Sequence, residues 1–256
     1  ATPSSLRPVG RQFMEADGSW ISYLQAGRSS GSVILLLHRS SLSAETEYGA
    51  ILSQLSGSPQ TFRVIAPDRP CHGFSPCPEG GEVVNSTSWL RALLASQGKV
   101  KRLALAAAGK DAAEQALALA RRRPEVSHIW LLAPNMPAPD LSSQGGAAGM
   151  RAWFEQHHAA LSPLGAADVM RWAATRTQPV ASSSGIGVPK LPKGCKVAIL
   201  YSEKDKEDEE LAAALQEAGR KPKVRNMGMG ETVLDGLLEE VQSVMGDSDG
   251  PDADDE

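Results

Sequence analysis

The stretch Leu103–Ala120, LALAAAGKDAAEQALALA, constrains this chain more than any other. Its first half is an apolar run of strand length. Gly109 breaks the run, and Ala113, Ala116, Leu117 and Ala120 then recur at helical spacing. A strand, a sharp turn and a helix follow one another with no linker between them. The turn itself reads AGKDA and holds no serine.

The same alternation runs along most of the chain. Arg11–Asp17 and Trp20–Gln25 read as two short strands joined at Asp17-Gly18. Ser32–Leu37 (SVILLL) is continuously apolar, as a parallel strand buried on both faces must be. Tyr48–Leu55 carries Ile51, Leu52 and Leu55 at helical spacing. Phe62–Ala66 is a further strand, leading into the Pro/Gly-rich loop APDRPCHGFSPCP. Ser86–Ser96 is a short helix with Trp89, Leu90, Leu93 and Leu94 on one face, and His128–Ala133 is again a buried strand. Lys196–Ser202 resumes the sheet; a helix over Asp208–Ala218, a strand over Lys223–Met227 and a helix over Thr232–Met245 follow. Strands alternating with helices predict an α/β fold with a doubly wound, mostly parallel sheet. The core is expected over 1–133 and 194–246. Residues 134–193, rich in Gly, Ala, Ser and Pro, read as an insertion with helical patches at Met150–Leu161 and Ala166–Thr175.

Charge separates the C-terminus from the body. Asp247, Asp249, Asp252, Asp254, Asp255 and Glu256 crowd the last ten residues, which are expected to form a disordered acidic tail. Without them, 26 basic side chains face 24 acidic ones, a net +2. The net charge of −4 argues against a general nucleic-acid binder, whose footprint would be basic, so no nucleic-acid partner is expected through a basic patch. Three cysteines, Cys71, Cys77 and Cys195, are too few for a disulfide framework and lack zinc-site spacing, so no metal and no cofactor is expected. A reducing compartment is the simplest assumption, although Cys71 and Cys77 share one loop and could pair. No run of 18 apolar residues is present to span a membrane. The first residue is Ala1, as in an organellar protein (chloroplast or mitochondrion) after removal of a transit peptide.

GSWISYLQAG, VILLLHRSS, FRVIAPDRPCHGFS, LALAAAGKDAAEQALALARRRPE, HIWLLAP and VAILYSEKD occur in an order that resembles the α/β-hydrolase superfamily over roughly Arg11–Met245. The resemblance implies that fold, with 134–193 as a reduced helical cap. It also implies a nucleophile in the turn after the 103–108 strand, in the form G-x-S-x-G. Matching from the helix side puts Lys110 there; matching from the strand side puts Gly109 there, as if the turn were one residue longer. Asp111 is a weak alternative, imitating the aspartate nucleophile of dehalogenases and epoxide hydrolases. Asp205 falls on the acid position. The family's histidine position, after the acid strand, is held by Glu231, which is a poor general base and repels Asp205. His38, Arg39 and Ser40 form an altered oxyanion loop, with Arg39 where the family has glycine. A long cation there is expected to crowd the pocket or to project into solvent.

The remaining histidines have structural explanations. His72 lies in the loop where the family's histidine is structural, His128 heads a strand, and His157 and His158 lie in the insertion. Arg39, Lys110, Asp205 and Glu231 are candidates for an ion-pair cluster at the former triad. The leading expectation is a catalytically inactive α/β-hydrolase fold, retained as a structural or binding subunit among other proteins. The alternatives are a divergent hydrolase of esters or epoxides working through Asp111, and a small-molecule receptor using the former pocket.

Overall fold

In the computed structural model the described residues are 9–16, 18–27, 31–40, 42–56, 62–77, 87–134, 186–201, 206–227 and 232–246. The expected helical patches Met150–Leu161 and Ala166–Thr175 lie outside them, as do Asp205, Glu231, His157, His158 and the acidic tail 247–256.

Eight strands form one sheet: β1 (Gly10–Ala16), β2 (Ser19–Gly27), β3 (Ser32–Leu37), β4 (Arg63–Pro67), β5 (Arg102–Ala108), β6 (Val126–Leu132), β7 (Lys196–Tyr201) and β8 (Lys223–Asn226). Their spatial order is β1-β2-β4-β3-β5-β6-β7-β8. β1 and β2 make an antiparallel hairpin, and β2 also runs antiparallel to β4; every other pairing is parallel. Side chains of β3, β5 and β6 are apolar on both faces because helices cover both. Leu103, Leu105 and Ala107 point to one face with helices α2 (Ser88–Ser96), α3 (Lys110–Ala120) and α4 (Lys206–Glu217). Ala104, Ala106 and Ala108 point to the other, with α1 (Ala44–Ser56) and α5 (Val233–Gly246). This is the α/β-hydrolase fold.

The chain leaves β3 for β4 on one side and returns to β5 on the other. The carboxyl ends of β3 and β5 therefore flank the point where the winding reverses, where such sheets place ligands. The segments after β3, β4 and β5 meet there.

α1 begins four residues earlier than the 48–55 periodicity suggests. Ser43 accepts a hydrogen bond from the Thr46 N–H at 3.3 Å, and the buried Asp68 carboxylate accepts one from the Ala44 N–H at 2.9 Å. Capping therefore extends the helix back past its apolar stripe.

The cysteine pairing that the sequence leaves open is made in the loop after β4. Cys71 and Cys77 form a disulfide, with Cα atoms 4.2 Å apart. Successive turns bring them together: His72 N–H bonds the Arg69 carbonyl, Ser75 N–H bonds the His72 carbonyl and Cys71 N–H bonds the Pro76 carbonyl. Cys195 is a buried free thiol, pushed up to about 11 by burial. Among the described residues no helix is long and apolar enough to cross a membrane.

Candidate functional site

β5 ends at Ala108 and α3 begins at Lys110, so the whole turn is Gly109. Its φ of +74° falls where side chains are disfavoured, and its N–H bonds the Leu132 carbonyl of β6 at 3.0 Å. The turn is therefore no longer than a single residue, and the strained position carries no side chain. Lys110 opens α3, and Asp111 lies in its first turn.

After β3 the chain runs through His38, Arg39 and Ser40, all buried. Arg39 neither crowds an open pocket nor reaches solvent. It folds back onto α1, where Nε and Nη2 each donate to a Glu47 oxygen at 2.7 Å. Glu47 is itself 3% exposed, so this is a buried, bidentate pair. Beside it the Tyr48 hydroxyl donates to the Leu37 carbonyl at 2.9 Å, and burial holds its ionisation well above the ordinary range. The carboxylate that Arg39 meets thus comes from α1. Of the proposed cluster, Lys110 and Arg39 are described; their expected acidic partners Asp205 and Glu231 lie outside the described residues.

The imidazoles are committed to backbone. His38 Nε2 accepts a hydrogen bond from Arg69 N–H at 3.0 Å, which places the proton on Nδ1, donating to the Arg39 carbonyl at 2.8 Å. His72 sets Nε2 against the Ser40 carbonyl at 2.5 Å and Nδ1 against the Pro70 carbonyl at 2.8 Å. Burial, reinforced by neighbouring Arg69, lowers both rings to about 3; for His72 the charge of His38 adds to this. Both rings are therefore neutral at physiological pH and pin the loop after β4 to the loop after β3. His128 belongs to β6 near the opposite edge, where it stacks on Trp130 at 5.7 Å.

Asp111 faces Arg69, its Oδ2 3.7 Å from Nη1, with side chains 14% and 2% exposed respectively. Behind Arg69, Asp68 is fully buried and accepts from the N–H groups of Ala44 and Phe74 and from Arg11 at 2.9–3.1 Å. The Arg69 guanidinium partly neutralises the Asp111 carboxylate, and each of the two imidazoles on this side has its one N–H directed at a backbone carbonyl. Among the described residues no group of three or more His, Cys, Asp or Glu side chains could hold a metal ion.

Sequence reasoning missed Glu47, Tyr48, Asp68 and Arg69. Glu47 had a readable signal: an acidic residue in a first helical turn, eight positions after an out-of-place arginine. Asp68 and Arg69 lie within the loop motif APDRPCHGFSPCP, and their signal is the adjacent acid–base pair that opens it directly after β4.

No family model matches the chain, and no curated protein matches it. Solved structures do. A membrane phospholipase A described as a bacterial virulence factor superposes with a TM-score of 0.69 at 18% identity, covering 96% of this chain and 88% of that one. The thioesterase domain from the curacin biosynthetic pathway gives 0.60 at 19% identity, covering 94% and 100%. The haloalkane dehalogenase DbeA from Bradyrhizobium elkani USDA94 gives 0.57 at 15%, covering 92% and 99%. These likenesses concern the fold.

Proposed function

We propose that this chain is a catalytically inactive α/β-hydrolase-fold protein that serves as a binding or structural subunit of a larger assembly. The buried Arg39–Glu47 pair carries this reading. It occupies the loop after β3 with a charge-neutralised side-chain pair, where the resemblance implies backbone donors facing a substrate carbonyl. Two further observations support it: the strained turn position is Gly109, and His38 bonds backbone through both ring nitrogens while His72 has its one N–H to give to a backbone carbonyl.

The test is native size-exclusion of the protein from its source, with a fluorophosphonate probe for activated serines and a generic ester assay on the same fractions. Elution in a stable high-mass complex with neither labelling nor turnover supports the reading. A free monomer that labels or hydrolyses the ester overturns it.

A second reading has one observation in its favour. Asp111 stands in the first turn of α3, above the sheet edge, largely buried and close to a cation. A divergent hydrolase would use it as nucleophile and would need an imidazole from 134–193. An Asp111→Asn protein with undiminished ester or epoxide turnover removes that reading.

A further inference from the structure

On the face carrying α2 and α3, away from the carboxyl edge of the sheet, lies an open groove of about 480 Å³. Thr87, Ser88 and Arg91 of α2 and its approach form one wall, and Glu114, Ala118, Arg121 and Arg122 of α3 and its exit form the other. Arg91, Arg121 and Arg122 are exposed, and none makes an ion pair with a described residue. The neighbouring Arg123, by contrast, is paired with Glu125 at 2.5 Å. Among the described lining residues, three guanidiniums face the carboxylate of Glu114, which leaves this lining cationic in a chain whose overall charge is −4. Exposed like charges this close repel one another and favour an anionic occupant. Guanidinium forks in particular favour carboxylate geometry.

The sequence supplies such an occupant. Six carboxylates lie within Asp247–Glu256, directly after α5. α3 and α5 both follow parallel strands and run back antiparallel to them, so both end at the amino edge of the sheet. α3 packs on β5 and β6 from one face, and α5 packs on β6 and β7 from the other. Gly246 and Arg121–Arg122 thus lie at one edge, separated by the thickness of a helix–sheet–helix sandwich of about 20 Å. Ten extended residues span roughly 33–36 Å. The tail is long enough to round that edge.

We propose that the groove between α2 and α3 is a binding site for a carboxylate-rich peptide, and that its occupant is this chain's own C-terminal segment, Asp247–Glu256. The tether gives the tail an effective concentration in the millimolar range, so weak individual ion pairs suffice. The inference is independent of whether the chain has catalytic activity.

The experiment is ¹⁵N relaxation of the tail amides in the full chain, for the wild type and for Arg91→Glu/Arg121→Glu/Arg122→Glu. In the wild type at about 20 mM salt, tail order parameters above roughly 0.6 are expected. They should fall below that value at about 500 mM salt, where screening shortens to a few ångströms. The charge-reversed protein should give low values at both salt concentrations with an unchanged circular dichroism spectrum. Changing the six tail acids to lysine in that variant should restore the order. Free-chain values in the wild type at low salt overturn the proposal. So does tail order that persists in the charge-reversed protein, or that appears only as protein concentration rises, which would mark a second copy as the partner. Inorganic phosphate that shifts the groove amides while tail order stays constant would assign the groove to small anions instead.

Discussion

At the scale of single residues, buried charge decides what can be changed. Glu47 and Arg39 are nearly inaccessible and satisfy each other through two 2.7 Å bonds. Removing one partner leaves the other charged in an apolar setting, whereas replacing both removes the desolvation penalty with the attraction. Glu47→Gln is expected to cost about 3–5 kcal/mol in urea unfolding, and Arg39→Met/Glu47→Leu much less than that. Additive losses in the double variant would mean that the pair stabilises by something other than mutual neutralisation. Gly73 is a second such position. A Cβ built there would lie 2.4–2.5 Å from the Asp68 carboxylate, on a backbone with φ +52°. Asp68 cannot give way, because Ala44, Phe74 and Arg11 hold it. Gly73→Ala should therefore lose about 3 kcal/mol or more, and a change below 1 kcal/mol in denaturant titration would contradict this. The approach of Gly73 to Asp68 could not be read from the chain, and the Arg39–Glu47 pair only in part. Arg39 was visible as an odd residue in its loop, but its partner is fixed by where α1 starts, and that start depends on Asp68, 24 positions further on.

At the scale of elements, the strands and helices were legible because their signals are local. β3 coincides with the apolar run 32–37, and the helix over 233–246 with its amphipathic pattern. The site turn was legible as strand, glycine and helix. Its length was not, because a repeat of small residues such as AAAG aligns equally well at two registers until the backbone fixes Gly109 at the positive φ. Closeness of packing was equally hidden, and two helix glycines show it. Gly49 in α1 has only Glu45 Cγ, at 3.9 Å, near its missing Cβ, so Gly49→Ala should stabilise by about 0.5–1 kcal/mol. Gly236 in α5 would bring a Cβ within 2.7–2.9 Å of Met227 and Leu200, which join that helix to the sheet. Gly236→Ala gains the same propensity but overpacks the joint, for a net loss of about 1–2 kcal/mol. Paired thermal melts should move in opposite directions, and two upward shifts would show that α5 can slide on β7 without cost.

For the whole molecule, two neutral histidines tie the loops after β3 and β4 into one unit, which makes stability depend on pH. Folding lowers His38 and His72 from the ordinary imidazole range near 6.5 to about 3, so the folded protein resists protons that the unfolded chain takes up. The sign follows directly: their neutral form is favoured by the fold, the full stability is present above about pH 6.5, and it is lost as pH falls from there towards 3. Between pH 6.5 and 5.5 the carboxylates contribute little, since most unfolded acids titrate lower. In that window each histidine should remove roughly 1 kcal/mol, and the pair about 2 kcal/mol. Urea midpoints measured at pH 7.5, 6.5 and 5.5 should therefore stay nearly level over the first interval and drop over the second. His72→Gln can keep a side-chain donor towards the Ser40 carbonyl yet cannot titrate. That variant should start less stable at pH 7.5 and lose only about half as much between pH 6.5 and 5.5. Equal losses in both proteins would mean that His72 is protonated inside the fold, held between its two carbonyls as a cation. The loop carrying the Cys71–Cys77 disulfide would then be anchored by charge, and acid would tighten that junction where the neutral pair predicts that it loosens.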